Sequence, residues 1–131
     1  MRRVLLCALL LGLASPASAQ KSLGSNNASL TIATGLTFQV LRPATQNYNS
    51  LTVQNNMTTT DNCWVEPTGL VTAGMTTAST VVTGNGTVTA QQASILLTPG
   101  GSFQRYYPYL PKGAITVTCT NSGDSVYVDW Q

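Results

Sequence analysis

The chemistry open to this chain is limited by a short reactive inventory: four acidic side chains, three cysteines and no histidine in 131 residues. Without histidine there is no imidazole base for a serine or cysteine nucleophile, and no G-x-S-x-G elbow is present. Beyond residue 19 the only cysteines are Cys63 and Cys119, too few for a tetrahedral zinc site. Calcium needs clustered oxygen ligands, and Asp61, Glu66, Asp124 and Asp129 form no D-x-D-x-D run. What remains is acid–base work by two carboxylates, as in glycoside hydrolysis. Glu66 and Asp129 are the pair that strand alternation turns outward if Val65 and Val128 face a core. Asp61 and Asp124 fall at turn positions, where Asp bonds nearby backbone amides. Acids this sparse are scattered by default over turns and surface, so the reading is a non-enzyme without cofactor or metal.

The first residues carry an address. Met1, Arg2 and Arg3 precede a run of ten apolar residues, 4–13, and Ser15-Pro16-Ala17-Ser18-Ala19 places small residues before Gln20. That is the pattern of a cleaved secretory signal. The apolar run is too short for a membrane span, which needs about 20 residues. Cys7 lies inside the run rather than just after the cleavage point, so a lipid anchor is not indicated. The expected organisation is a signal at 1–19, a flexible lead-in at 20–28 and one β-domain at 29–131. The mature protein would be secreted or periplasmic, with no membrane span.

Removing the signal changes the charge. Lys21, Arg42, Arg105 and Lys112 then face Asp61, Glu66, Asp124 and Asp129, four against four. A chain of zero net charge has no cationic surplus for phosphates, which argues against a nucleic-acid partner. Export also changes how the cysteines read. In an oxidising compartment Cys63 and Cys119 are expected to form a disulfide. Closing a loop of that length contributes about 4 kcal/mol on the chain-entropy account. No C-x-x-C spacing is present to mark a redox pair.

The elements that position these groups read as strands. No window carries the i, i+3, i+4 apolar spacing of a helix, whereas period-two alternation rich in Thr, Val and Ile recurs. Strands are expected at 29–34, 36–41, 50–55, 62–66, 79–83, 87–91, 94–97, 102–107, 114–120 and 125–130. Gly84-Asn85-Gly86 and Asn121-Ser122-Gly123-Asp124 read as hairpin turns, and Pro99-Gly100-Gly101 as a sharp turn. Residues 67–77 read as a long loop or weak strand. Ile115, Val117 and Cys119 share one face, as do Cys63 and Val65, opposite Trp64 and Glu66; this puts both cysteines on apolar faces. The last strand has an aromatic on each side, Trp130 with Val126 and Val128, and Tyr127 with Ser125 and Asp129. The fold class is all-β: an antiparallel, jelly-roll-like sandwich of about ten short strands with one disulfide. Strand edges without charge lack the usual guard against strand addition.

Residues 106–113 concentrate Tyr106, Tyr107, Tyr109, Pro108 and Pro111. Rigid aromatics on a proline-restricted loop give contact area at low entropy cost and can stack on sugar rings or fill a partner's pocket. The alternative is that these rings cap the core. Trp64 poses the same choice between a binding platform and a core residue.

Residues 49–56 (NSLTVQNN), 94–103 (SILLTPGGSF) and 125–129 (SVYVD) resemble a pattern of small β-proteins from phage virions and bacterial secretomes. In these an SLTIQN-type strand, an L-x-PGGS turn and a final V-x-V strand recur. The resemblance covers residues 49–131 in pieces and implies a β-sandwich with a structural or surface-attachment role and no catalytic residue. The signal and the cysteine pair depart from the phage members and favour a secreted bacterial protein.

The functional expectation is a secreted, non-catalytic structural or adhesive module acting through strand edges or the tyrosine-rich loop. Its partner would be another copy or a cell surface. A pilin-like variant would donate residues 20–41 to a neighbour. The alternative is a monomeric carbohydrate-binding module using Tyr106, Tyr107, Tyr109 and Trp64.

Overall fold

A computed structural model describes residues 26–44, 49–58 and 60–131. The expected signal at 1–19 and residues 20–25 of the expected lead-in lie outside the described residues. Ten strands form: β1 (Asn26–Thr31), β2 (Gln39–Arg42), β3 (Ser50–Asn55), β4 (Cys63–Glu66), β5 (Thr80–Thr83), β6 (Gly86–Thr89), β7 (Ile95–Leu97), β8 (Ser102–Tyr106), β9 (Ile115–Cys119) and β10 (Ser125–Trp130). One sheet has the order β1-β10-β3-β8, the other β2-β9-β4-β7, and β5 and β6 form a separate hairpin. Every ladder is antiparallel. With the β5–β6 hairpin set aside, the chain crosses between the sheets at every connection except β4 to β7, in the winding of two Greek keys, which is a jelly roll.

The alternation that made these strands legible also builds the core. Leu51, Val53, Phe103, Val126 and Val128 of the first sheet meet Leu41, Cys63, Val65, Leu97, Ile115, Val117 and Cys119 of the second in one buried cluster. Each such side chain contributes about 1.5–3 kcal/mol by leaving water. Trp130 is half-buried against this cluster, which assigns the inner face of β10 and turns Tyr127 outward. Cys63 and Cys119 stand opposite each other on β4 and β9, both fully buried, and are joined by a disulfide with a Cα–Cα distance of 3.9 Å.

The turn chemistry works as expected at two places. Gly84 and Asn85 link β5 to β6, with Thr83 opposite Gly86. The Gly101 N–H donates to Thr98 O (2.8 Å) around Pro99 and Gly100, whose φ of 72° suits a type II turn.

Four expectations are corrected. Residues 121–124 do not close a hairpin: β9 and β10 belong to different sheets, and this turn carries the chain across the end of the sandwich. Asp124 is nearly buried there and accepts from the Asn121 N–H (2.9 Å), while the Gly123 N–H donates to Ile32 O (2.8 Å). β1 begins at Asn26, three residues before the expected start, because its ladder to β10 continues to Trp130. β1 and β2 pair with β10 and β9 of their own chain, so the sandwich is complete and residues 26–31 and 39–42 are not held in reserve for a neighbour. Finally, the outer face of the β2-β9-β4-β7 sheet is not a solvent face. Trp64, Phe38, Val71, Val81 and Ala90 form a second buried cluster there, with Met75, Val88 and Ala93 packed against it. Residues 67–93 thus lie over this sheet as a partial third layer. No helix among the described residues is long and apolar enough to cross a membrane.

Candidate functional site: an exposed tyrosine loop

The connection from β8 to β9 passes from an edge of the first sheet to the middle of the second, and it carries Tyr107 and Tyr109, with Tyr106 as the last residue of β8. Four anchors hold it. At its start the Tyr107 N–H donates to Asn49 O (2.9 Å), continuing the β8–β3 register. The Tyr109 N–H donates to Tyr106 O (2.9 Å), closing a turn around the cis Tyr107–Pro108 peptide. Leu110 packs against the main core. Arg42, fully buried at the end of β2, donates from Nη2 to Pro111 O (3.3 Å) and Gly113 O (3.4 Å). A guanidinium presents several donors in a rigid fork, which lets one side chain collect two carbonyls of an irregular segment.

The rings themselves take no part in this anchoring. Tyr106, Tyr107 and Tyr109 are 61%, 76% and 80% exposed. That decides between the two readings of the segment: these rings do not cap the core. The Tyr106 hydroxyl donates to Gln104 Oε1 (3.3 Å) on the surface of β8. Arg105 lies with its guanidinium 4.5 Å from the centroid of the Phe103 ring and donates from Nη1 to Gln104 O (3.1 Å). Among the described residues the charged side chains that are exposed are Arg105 and Lys112, and both flank the tyrosines. The loop therefore offers aromatic surface bracketed by two cations on an otherwise nearly neutral protein.

Trp64 does not join the three tyrosines. It sits on the outer face of β4 beneath residues 67–93, 9% exposed, as part of the second core, so it is a packing residue rather than a binding platform. Glu66, expected to face solvent as half of a carboxylate pair, is fully buried beside it. Its carboxylate accepts from the Thr68 N–H (2.6 Å), the Thr68 hydroxyl, the Gly69 N–H (2.8 Å) and the Val71 N–H (3.2 Å). Glu66 belongs to the second sheet and Asp129 to the first. The carboxylate organises a loop and is not presented to a substrate. Among the described residues no group of three or more His, Cys, Asp or Glu side chains is placed to hold a metal.

Sequence reasoning passed over Arg42, Arg105 and Lys112. A cation ending an apolar strand in a chain with so few charges was the available signal for Arg42. The clustering of the other two around the tyrosines was visible by counting. No protein-family model, curated protein or solved structure matches the chain.

Proposed function

We propose that this protein is a secreted, non-catalytic structural or adhesive surface module whose partner contact is the β8–β9 tyrosine loop. The observation that carries this reading is the combination of a firmly anchored backbone with three rings left in water. Ordering a loop costs conformational entropy, and burying Tyr107 and Tyr109 would have offset part of that cost. Leaving them out suits a preorganised contact, in which two-torsion aromatic rings supply area without further ordering on binding. Arg105 and Lys112 direct the loop toward a partner surface bearing negative charge. The disulfide fits an extracytoplasmic location.

A carbohydrate partner is the second reading, favoured by the Tyr106–Gln104 pair, which sets a stacking ring beside an amide able to bond sugar hydroxyls. The two cations make an acidic polysaccharide the better probe.

Tyrosine iodination of the protein, free and bound to intact cells of its producing organism, tests the reading. Tyr106, Tyr107 and Tyr109 are expected to be modified in the free protein and protected in the cell-bound protein. Equal modification in the two states would show that the loop is not the contact. Protection reproduced on beads of an acidic polysaccharide, but not a neutral one, would identify the partner as glycan.

A further inference from the structure

The two main sheets have four edges, and three of them carry features that blunt an edge. Residues 74–77 run along residues 36–38, just ahead of β2: the Phe38 N–H donates to Met75 O (2.8 Å), the Gly74 N–H to Phe38 O (2.8 Å) and the Thr77 N–H to Leu36 O (3.0 Å). The β2 ladder also slips between Val40 and Arg42. β7 has only three residues and is soon followed by Pro99. On β8 the pairs bonded to β3 are the odd-numbered ones, as Tyr107 N–H to Asn49 O and Asn55 N–H to Gly101 O show, so Gln104 O and Tyr106 O face outward. Those carbonyls are already taken, by Arg105 Nη1 (3.1 Å) and the Tyr109 N–H (2.9 Å).

β1 is different. Its ladder to β10 is bonded through even-numbered residues, because the Ile32 N–H donates to Asp124 O (2.8 Å) in the same register. The N–H and C=O groups of Asn27, Ser29 and Thr31 therefore point away from the sheet. Among the described residues no backbone group bonds them from that side, and the side chains of all three are exposed. The strand reads NNASLT, without charge or proline, and its register runs unbroken. It has none of the devices that blunt an edge.

We propose that β1 is a self-association edge: a second copy of the chain adds its own β1 antiparallel to this one, joining two four-stranded sheets into a continuous sheet. The occupant follows from the strand. Outward groups sit on odd residues, so two β1 strands bond odd to odd. The register of greatest overlap places Ser29 opposite Ser29 on the two-fold axis and Asn27 opposite Thr31 on either side. In that register Ala28 faces Leu30 at the positions where opposed side chains come closest. Both are partly buried against the core, so pairing continues apolar packing across the junction. No like charges meet in the ladder, and residues 20–131 carry four basic and four acidic side chains, so no net charge separates the copies. The interface is isologous and closes as a dimer. β1 and β8 are opposite edges of their sheet, so the dimer carries two tyrosine loops clear of the junction and binds a surface bivalently. The edge argument does not depend on what the loop binds.

Size-exclusion chromatography with light scattering on the oxidised protein, from micromolar concentration upward, reads the mass. The wild type is expected at twice the monomer mass. Ser29→Pro removes an outward N–H that β10 does not use, a substitution an edge position accepts, and is expected to be monomeric. Ser29→Lys sets two like charges on the axis, is expected to be monomeric as well, and keeps the test valid if the proline variant fails to fold. A triple alanine variant at Tyr106, Tyr107 and Tyr109 is expected to remain dimeric. A monomeric wild type, or a dimer that persists in both Ser29 variants, overturns the proposal. So does a dimer lost on removal of the tyrosines but retained in the Ser29 variants, which would place the junction at the loop.

Discussion

Glu66 and Arg42 do the same work with opposite signs. The buried carboxylate of Glu66 gathers the N–H groups of Thr68, Gly69 and Val71, and the buried guanidinium of Arg42 gathers the carbonyls of Pro111 and Gly113. Each fixes an irregular segment whose backbone groups no neighbouring strand satisfies. The two loops then diverge. Residues 67–71 place Val71 in the second core, and the Thr116 hydroxyl donates to Val71 O (2.8 Å) beneath them. Residues 107–113 place two tyrosines in water. The first loop is anchored and buries Val71, though Leu70 stays exposed, and that packing accounts for its anchoring. The other is anchored in part by Leu110 yet holds Tyr107 and Tyr109 out, and it is the one for which we propose a partner.

That contrast predicts a graded set of losses, each followed by urea denaturation. Trp64→Ala removes the largest side chain under residues 67–93 and is expected to cost about 3–5 kcal/mol; a loss under about 1 kcal/mol would mean this third layer is not truly packed. Glu66→Ala leaves three amides without their acceptor and is expected to cost about 2–4 kcal/mol, with faster proteolysis at 67–71. Unchanged proteolysis would show that the carboxylate does not hold that loop. Arg42→Met keeps most of the volume but removes the donors to Pro111 and Gly113, at an expected cost of about 1–3 kcal/mol. The Tyr107 and Tyr109 amides should then exchange faster with solvent, and wild-type exchange rates would contradict the anchoring role. Tyr106→Phe removes one exposed hydrogen bond and is expected to shift stability by less than about 0.5 kcal/mol; a larger loss would mean the ring is part of the packing.

Much of the main sandwich was legible because the strands of its first sheet have one wetter face and one dry face. Residues 50–55 and 125–130 alternate cleanly and their bounds were read as they stand in the structure. The cysteines needed only their even number and their apolar faces. The third layer was not legible, because a period-two pattern reports that one face differs from the other but not whether water or more protein covers the polar one. Thr116, Thr118 and Glu66 have the chemistry of solvent-side residues and are buried. The turn at 121–124 failed for a related reason: Asn, Gly and Asp suit a tight reversal whether the next strand returns to the same sheet or crosses to the other. The tyrosine segment was recognisable as a candidate site by composition. Its exposure depends on Arg42, Asn49 and Leu110, which reach it from elsewhere in the chain or from its far end.

The most direct test of the loop as a contact surface is one paired comparison: retention on intact producing cells and melting temperature, for the wild type and for the triple alanine variant at Tyr106, Tyr107 and Tyr109. Removing rings that are mostly exposed should leave the melting temperature within a few degrees while lowering retention at least tenfold, on the scale expected for aromatic hot spots of about 2 kcal/mol or more. Full retention by the variant, or a collapse of its melting temperature, would contradict the account.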